Sequence, residues 1–194
     1  MADSFKNERT AWDRRYKEGT HTSLTPDPLL VSAYEEFIAP AFPEAGCALD
    51  LAGGVGRHAI FLAERRWKVT LLDISPEALA MARQHAEQQR LTFDIQETNL
   101  VERPLPVSQF DLVLNFFYLE RSLFSQIVTA LKPGGMLVFK TYTREQLKFG
   151  GGPSHPMHLL ESNELLRAFA GLRILYYRES IREKAVSEMI AQKE

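Results

Sequence analysis

Residues 49–75 read LDLAGGVGRHAIFLAERRWKVTLLDIS, and this stretch decides the fold class. Two apolar runs flank a turn that carries three glycines, and an amphipathic segment separates the turn from the second run. Apolar runs of this kind predict buried strands, and the segment between them predicts a helix. The stretch is therefore expected to form a strand–turn–helix–strand unit with two parallel strands. Asp50 and Asp73 lie near its two ends, which raises the question of the ligand that such a turn would hold.

The same alternation continues along the chain. Ser75 and Ser162 are expected to cap the helices that follow them. Strands that alternate with helices predict an α/β protein with a doubly wound, mostly parallel sheet. The link between the last two strands is too short for a crossover helix, so that pair is expected to be antiparallel. The predicted strands cover residues 47–53, 68–74, 91–97, 110–117, 136–143, 172–180 and 185–193, and the predicted helices cover residues 57–67, 76–89, 122–131 and 162–170.

Composition and charge narrow the class of protein. The 194 residues are 45% apolar and 25% charged, which fits one globular domain with a real core. The net charge of −2 gives no basic footprint for a nucleic-acid partner. The chain has one cysteine, a charged beginning unlike a signal peptide, and no apolar run long enough to span a bilayer. We therefore expect a cytoplasmic protein without a membrane or nucleic-acid partner.

The glycine turn alone leaves a dinucleotide, a phosphate and S-adenosylmethionine as candidate ligands. The spacing of Gly54, Gly56 and Ala59 satisfies a loose dinucleotide fingerprint. Asp73, at the end of the second strand, could accept hydrogen bonds from a ribose diol in either kind of nucleoside site. Asp50 distinguishes a dinucleotide site from an S-adenosylmethionine site. A carboxylate at the end of the first strand would repel a pyrophosphate and suit a ligand ammonium. The charge at Asp50 thus favours S-adenosylmethionine.

The ordered motifs LDLAGGVGRHAIFLA, LLDIS, FDLVLNFF and LKPGGMLVF resemble those of the class I S-adenosylmethionine-dependent methyltransferases over residues 45–143. The opening WDRRYKEG further resembles the small tellurite-resistance and thiol methyltransferase-like branch. The resemblance implies a Rossmann-like sheet of seven strands with an antiparallel last strand, and S-adenosyl-L-methionine as cofactor. Within a single domain over residues 1–194, it implies a helical lid over 1–44, a cofactor-binding core over 45–143, and an acceptor loop with the C-terminal strands over 144–194.

By this resemblance the methionine portion and the ribose of the cofactor have assigned partners. Asp50 and the backbone of Ala52, Gly53 and Gly54 would hold the methionine portion, and Asp73 would accept the ribose hydroxyls. Ala52 and Gly54 stand where members of the family often carry a Gly-x-Gly pair with a cysteine or serine. The glycine bend is kept, so we expect cofactor binding to survive this departure.

The resemblance also implies partners for the adenine and the sulfonium. Ile74 would pack on the adenine, and Asn99 and Leu100 would meet its edge, at a turn where an aspartate is commoner than Asn99. Asn115 and Phe116, at the end of the fourth strand, would lie near the methionine amine and the sulfonium.

The N-terminal helix is expected to contribute a lid by the same resemblance. Trp12, Arg15 and Tyr16 would cover the cofactor, with the guanidinium of Arg15 suited to the methionine carboxylate. The spacing of Trp12 and Tyr16 is equally typical of an ordinary hydrophobic helix face, so both interpretations stand.

The acceptor is not named by any motif. The run NFFY stands where amino-group nucleic-acid methyltransferases carry Asn/Asp-Pro-Pro-aromatic, no Pro-Cys pair offers a thiol nucleophile, and no acidic metal cluster is evident, so no metal is expected. Polar and aromatic residues remain near the expected mouth: Tyr118, Arg121, Tyr142, His155 and His158. His155, His158 and Tyr142 are the candidate catalytic residues, since an imidazole near neutrality could deprotonate a weakly acidic acceptor. A thiolate acceptor would need no base, and a loop histidine is more often simply exposed.

The sequence thus predicts an enzyme that transfers a methyl group to a small-molecule acceptor by in-line displacement at the sulfonium methyl, releasing S-adenosylhomocysteine. Three alternatives remain open: a nicotinamide-dependent oxidoreductase, an rRNA or protein methyltransferase, and a cofactor-binding protein that has lost its chemistry. Acceptor identity and oligomeric state do not follow from these residues.

Overall fold

The computed structural model describes residues 2–194, with side chains from residue 7 onward. The described chain comprises two compact units, of which one ends at Arg103 and the other begins at Pro104. The predicted single domain, with divisions after residues 44 and 143, stays a prediction.

The first unit is built on three parallel strands, β1 (Cys47–Leu51), β2 (Lys68–Asp73) and β3 (Asp94–Glu97). β2 lies between β1 and β3, with Asp50 opposite Leu71 and Asp73 opposite Glu97. Because the strands are parallel, their carboxyl ends lie on one edge of the sheet. Asp50 and Asp73 are brought to that edge on neighbouring strands.

Helices of the first unit begin where the sequence offers caps. α5 (Pro76–Gln88) starts after Ser75, whose side chain accepts a hydrogen bond from the backbone N–H of Ala78. Asp27 caps α2 (Pro28–Ala33) in the same way by accepting from the N–H of Leu29. The predicted cap at Ser75 is therefore confirmed, and Asp27, which was not predicted as a cap, shows the same pattern of a polar cap followed by proline. The remaining helices are α1 (Ala2–Lys17), a π-helical turn (Tyr34–Ile38), α3 (Ala39–Ala41) and α4 (Arg57–Ala63).

The second unit is built on four strands and two helices. β4 (Phe110–Phe116) pairs in parallel with β5 (Leu131–Tyr142). β7 (Ala185–Gln192) lies antiparallel to both β5 and β6 (Arg173–Ile181). α6 (Leu123–Ala130) connects β4 to β5, and α7 (Glu164–Ala168) precedes β6 together with two 3₁₀ turns, Arg144–Lys148 and Pro156–His158.

The strand order is β3-β2-β1-β4-β5-β7-β6 in one sheet of seven strands. This order, with the antiparallel β7, confirms the predicted Rossmann-like methyltransferase architecture. No helix within residues 2–194 combines the length and the apolar character that crossing a bilayer would require.

Several element boundaries differ from the sequence prediction. α4 ends at Ala63 instead of residue 67, because Arg66 takes a left-handed conformation at φ +67° and turns Trp67 into the core. β3 begins at Asp94, because the N–H of Leu91 still donates to the carbonyl of Ala86 and closes the preceding helix.

Two further predictions are wrong in detail. Ser162 does not cap α7: its hydroxyl donates to Glu179 at 2.9 Å, and Asn163 occupies the cap position. Residues 132–135, KPGG, lie between the helix predicted over 122–131 and the strand predicted over 136–143, but the structure includes them in β5, where the carbonyl of Gly135 accepts from the N–H of Lys193. Pairing with a distant segment outweighed the local turn signal.

Candidate functional site

Asp50 is a buried carboxylate without a hydrogen-bond partner among the described residues. Its exposed fraction is 1%, and neither Oδ1 nor Oδ2 accepts a hydrogen bond. A Cβ at Gly53 would lie 2.7 Å from Oδ2 of Asp50, so only glycine fits at that position. Burial raises the pKa of Asp50 to about 7, and the nearby charge of Arg57 and the backbone N–H of Ala59 oppose this rise. A carboxylate in this setting gains most from a cationic donor supplied by a ligand.

Asp73 has the opposite surroundings, because the backbone already donates to both of its carboxylate oxygens. Oδ2 accepts from the N–H of Gly54 at 2.8 Å, and Oδ1 accepts from the N–H of Ser75 at 2.8 Å. Burial raises the pKa of Asp73, while these two hydrogen bonds act to lower it. Asp73 therefore fastens the glycine turn to the end of β2, and each oxygen retains lone-pair capacity for a further donor.

The glycine turn is held in an unusual backbone conformation. Ala52 lies at φ +51° and Gly54 at φ +57°. A non-glycine residue in this region costs about 1 kcal/mol, and such strain is typical of ligand-binding turns. The turn is closed by the N–H of Gly56, which donates to the carbonyl of Gly53 at 3.1 Å. The sequence predicted a tight bend after β1, and the structure has one. The strained backbone conformation falls at Ala52, where the sequence did not predict it.

Tyr16 brings α1 onto the glycine turn. Its side chain is 7% exposed and packs in a cluster with Val55 and Ala78, and Trp12 lies against the same cluster. A Cβ at Gly54 would lie 2.6 Å from the Tyr16 hydroxyl oxygen. Burial and the charge of Asp73 raise the pKa of Tyr16. Tyr16 and Trp12 can therefore belong to a hydrophobic helix face and also cover the glycine turn.

Polar contacts fix α1 on its other sides. Asp13 accepts a hydrogen bond from the hydroxyl of Ser75 at 2.5 Å. Ion pairs join Arg9 to Glu97 at 2.9 Å and Lys17 to Glu77 at 3.0 Å. Arg15 is not brought to the turn in this way: it is exposed, and its guanidinium lies 4.6 Å from the centre of the Trp12 ring.

The residues predicted at the adenine follow the ends of the paired strands β2 and β3. Ile74 is half-buried and Leu100 is buried. Oδ1 of Asn99 accepts from the N–H of Val101 at 3.0 Å, so this side chain shapes the turn after β3. Thr98, which the sequence did not single out, is buried there, and its hydroxyl has no hydrogen-bond partner among the described residues.

His58 is a second residue that sequence reasoning missed. It is 2% exposed on α4, and its Nδ1 lies 4.0 Å from Oδ1 of Asp50. The available signal was an ionisable residue beside the apolar face of a helix that follows the glycine turn.

In the second unit, Asn115 and Phe116 are buried at the end of β4. The amide of Asn115 donates to the carbonyl of Tyr118 at 2.7 Å, so it holds the turn that follows the strand. In that turn Phe117 is left-handed at φ +59°, and its ring centre lies 5.0 Å from that of Tyr142. The structure thus brings the predicted Tyr142 next to an aromatic residue of the β4 turn.

The two candidate histidines lie on the surface of the second unit. His155 and His158 are exposed, their ring centres are 6.1 Å apart, and Nδ1 of His155 accepts from the N–H of Met157 at 3.2 Å. Arg121 braces this segment, because it pairs with Glu164 at 2.7 Å and donates to the carbonyl of Met157 at 2.9 Å. Catalytic roles for His155, His158 and Tyr142 stay predictions.

A cleft of about 340 Å³ also lies in the second unit. Its charged groups largely satisfy one another: Arg144 pairs with Glu161 at 2.7 Å, and Glu179 accepts from the N–H of Asn163 at 2.7 Å. Among the residues whose side chains are described, no group of three or more histidine, cysteine, aspartate or glutamate residues is placed to hold a metal ion.

Comparison with known proteins gives matches in both sequence and structure. Residues 48–135 match a family model described as a methyltransferase domain. A tRNA 5-carboxymethoxyuridine methyltransferase of Escherichia coli is 28% identical over 137 residues, covering 66% of this chain and 52% of that protein. A ubiquinone biosynthesis O-methyltransferase of Cereibacter sphaeroides is 28% identical over 126 residues, covering 62% of this chain and 51% of that protein.

The crystal structure of TehB from Haemophilus influenzae has the same fold, with a TM-score of 0.74 at 16% identity over 93% of this chain and 66% of that chain. The chain spans about half the length of the curated relatives that it matches.

Proposed function

We propose that this chain, which carries the domain of the class I S-adenosylmethionine-dependent methyltransferases, transfers the methyl group of S-adenosylmethionine to a small-molecule acceptor. One observation carries the proposal: Asp50 presents a buried carboxylate, without a hydrogen-bond partner among the described residues, against the glycine turn. A negative charge there suits the ammonium of the methionine portion and disfavours a pyrophosphate.

The methyltransferase-domain match and the structure neighbours support the class, the enzyme type and the cofactor. The methyltransferase-domain match covers β1 through the first part of β5, which includes the glycine turn and Asp73. Structure neighbours share the fold across most of the chain. The activity of the whole protein, its acceptor and its partners remain part of the proposal.

The residues of the first unit fit the cofactor by their chemistry. Asp50 would take the ammonium, Asp73 would take the ribose hydroxyls, and the missing side chain at Gly53 keeps Asp50 close to the turn. S-adenosylmethionine supplies an already activated methyl group when bound. The protein therefore mainly has to hold acceptor and donor in line, and positioning of that kind can lower a barrier by roughly 7–11 kcal/mol.

The net charge of the chain and one of its relatives support a small-molecule acceptor. The net charge of −2 offers little attraction to a phosphate backbone. One relative acts in ubiquinone biosynthesis as an O-methyltransferase, which is a small-molecule role. A relative named as a tRNA methyltransferase supports the second candidate, an RNA acceptor.

The test combines binding with turnover. Calorimetry of the purified chain with S-adenosylmethionine, S-adenosylhomocysteine and NADH should show binding of the two adenosyl compounds only. A screen of thiols, chalcogen oxyanions, phenols, amines and unmodified tRNA, read out as S-adenosylhomocysteine release, should find turnover among the small molecules. NADH binding alone would favour an oxidoreductase, turnover on tRNA alone would favour the second candidate, and cofactor binding without any turnover would favour a non-catalytic protein.

A further inference from the structure

His58 links the cofactor-side carboxylate to a helix cap on another part of the first unit. Its Nδ1 lies 4.0 Å from Oδ1 of Asp50, and its Nε2 accepts a hydrogen bond from the backbone N–H of Asp27 at 3.3 Å. Both His58 and Asp27 are buried. Asp27 is itself fixed, because its side chain caps α2 by accepting from the N–H of Leu29 at 3.0 Å.

The contact with Asp27 determines which ring nitrogen carries the proton. A nitrogen that accepts a hydrogen bond is unprotonated, so the neutral imidazole of His58 has its proton on Nδ1. Nδ1 is the nitrogen that lies toward Asp50. The distance of 4.0 Å exceeds a hydrogen bond, but contacts of this kind often shorten when a ligand binds.

We propose that His58 is a positioning residue for the methionine end of the cofactor: its Nδ1–H orients the Asp50 carboxylate and stabilises the charged form that receives the ligand ammonium. This rests on the proposed function, because it assigns a helper to a residue of that site. His58 itself does not touch the cofactor. Without it, Asp50 would keep only the charge of Arg57 and the backbone N–H of Ala59 to oppose the effect of burial.

The charged groups around Asp50 give the pH dependence a sign. Burial raises the pKa of Asp50 to about 7, the charge of Asp73 raises it further, and the charge of Arg57 lowers it. Only the ionised carboxylate attracts the ammonium, so cofactor affinity should rise with pH through this range. Removal of the His58 donor should shift that rise to higher pH.

Two substitutions test the Nδ1 contact with Asp50 and the Nε2 contact with Asp27 separately. His58→Asn can present an amide N–H near the Nδ1 position but is too short to accept from Asp27. His58→Gln can present an oxygen near the Nε2 position but no donor toward Asp50. We expect His58→Gln to weaken S-adenosylhomocysteine binding roughly tenfold, which equals about 1.4 kcal/mol, and His58→Asn to weaken it less.

The specificity of the effect is measured with a second ligand. 5′-Methylthioadenosine lacks the ammonium and carboxylate of the methionine portion, so its affinity should be the same in wild type and in both variants. The pH midpoint of S-adenosylhomocysteine binding should move upward in His58→Gln and stay in place in His58→Asn. A general packing defect would weaken both ligands alike and leave the midpoint unchanged.

Wild-type protein provides a test that does not depend on variant folding. Long-range ¹H–¹⁵N correlation spectra of the histidine rings should identify His58 as the Nδ1–H tautomer. An Nε2–H tautomer, or equal S-adenosylhomocysteine affinity in His58→Gln and wild type, would overturn the positioning role. Failure of wild type to bind S-adenosylhomocysteine at all would instead refute the proposed function.

Discussion

Asp50 and Asp73 lie on neighbouring strands at one edge of the sheet, and their backbone surroundings give them different tasks. Asp73 accepts two backbone hydrogen bonds at 2.8 Å and so builds the glycine turn. Asp50 has no hydrogen bonds of this quality, so burial raises its pKa despite the nearby charge of Arg57 and the backbone N–H of Ala59. Asp73 therefore has a structural role even without a ligand. Asp50 lowers the stability of the fold until a cation binds next to it.

The substitution Asp50→Asn should therefore stabilise the ligand-free protein. Burial raises the pKa of Asp50 from 3.8 to about 7, so the folded state binds this proton more tightly than the unfolded state. Stability is then lost as pH rises from about 4 to about 7, and removing the charge should recover on the order of 2–4 kcal/mol at pH 8. Urea unfolding at pH 8 and at pH 5 measures the gain, which should shrink at pH 5.

A matched variant completes this experiment. Asp73→Asn loses acceptor strength toward Gly54 and Ser75, so it should destabilise the protein at pH 8. An Asp50→Asn protein that is less stable than wild type at both pH values would contradict the account of the Asp50 site. Cofactor affinity should fall in both variants.

The two surface histidines make a separate prediction about the acceptor. His155 and His158 are exposed, so replacing either by alanine should change the free energy of unfolding by no more than about 0.5 kcal/mol. If they act as a base, turnover of a phenol should slow while turnover of a thiol is spared, because only the phenol needs help to lose its proton. Parallel assays on both acceptors decide, and equal loss on both would indicate local misfolding.

At the level of single residues, position in a strand was enough to predict that both aspartates lie at one edge of the sheet. Each follows an apolar run, and carboxyl ends of parallel strands meet at one edge of a sheet. His58 and Thr98 could not be found in this way, because their importance depends on burial next to a partner that is distant along the chain. The guanidinium of Arg15 lies 4.6 Å from the centre of the Trp12 ring, and its contact with the cofactor stays a prediction.

At the scale of elements, α1 and the glycine turn form one packed unit through Tyr16 and Gly54. A Cβ at Gly54 would lie 2.6 Å from the Tyr16 hydroxyl oxygen and 3.5 Å from the ring carbon that bears it. Gly54→Ala should thus destabilise the protein, and adding Tyr16→Phe should restore part of the loss. A coupling free energy of roughly 1–2 kcal/mol is expected from urea unfolding of the four proteins of the cycle.

Gly19→Ala is the control for this cycle. Gly19 also has a positive φ, at +74°, but a Cβ there would meet nothing within 4 Å. It should show only the cost of the left-handed backbone, about 1 kcal/mol, with no coupling to Tyr16→Phe. If Gly54→Ala and Tyr16→Phe change the free energy of unfolding additively, the Tyr16 side chain does not contact the glycine turn closely enough to exclude a Cβ at position 54.

The start of a helix could be predicted from the sequence where no distant residue competes for the capping side chain. Ser75 and Pro76 predicted the start of α5 because both act on the first turn itself. Ser162 carried the same local signal, but Glu179 on β6 accepts its hydrogen bond and removes it from the helix. A cap can be recognised from neighbouring residues, whereas a competing partner from another strand cannot.

At the scale of the whole molecule, ligand binding should be visible as stability. A ligand that binds only the folded state at one hundred times its dissociation constant adds about 2.7 kcal/mol. For a chain of 194 residues, S-adenosylhomocysteine should therefore raise Tm by roughly 5–11 °C. Differential scanning fluorimetry measures this shift.

NADH at the same concentration should leave Tm unchanged, and Asp50→Asn should show a much smaller response to S-adenosylhomocysteine than wild type. A larger shift with NADH than with S-adenosylhomocysteine would reverse the choice of cofactor.

The position of β7 between β5 and β6 constrains the order of events during synthesis. β6 emerges from the ribosome before β7, yet its recorded strand partner is β7, which also pairs with β5. Until residues 185–192 have left the ribosome, the nascent chain exposes the β6 segment without its partner, with backbone groups open to wrong partners. A chaperone that covers the β6 segment would be most valuable over this short interval, and a pause in elongation would lengthen the exposure.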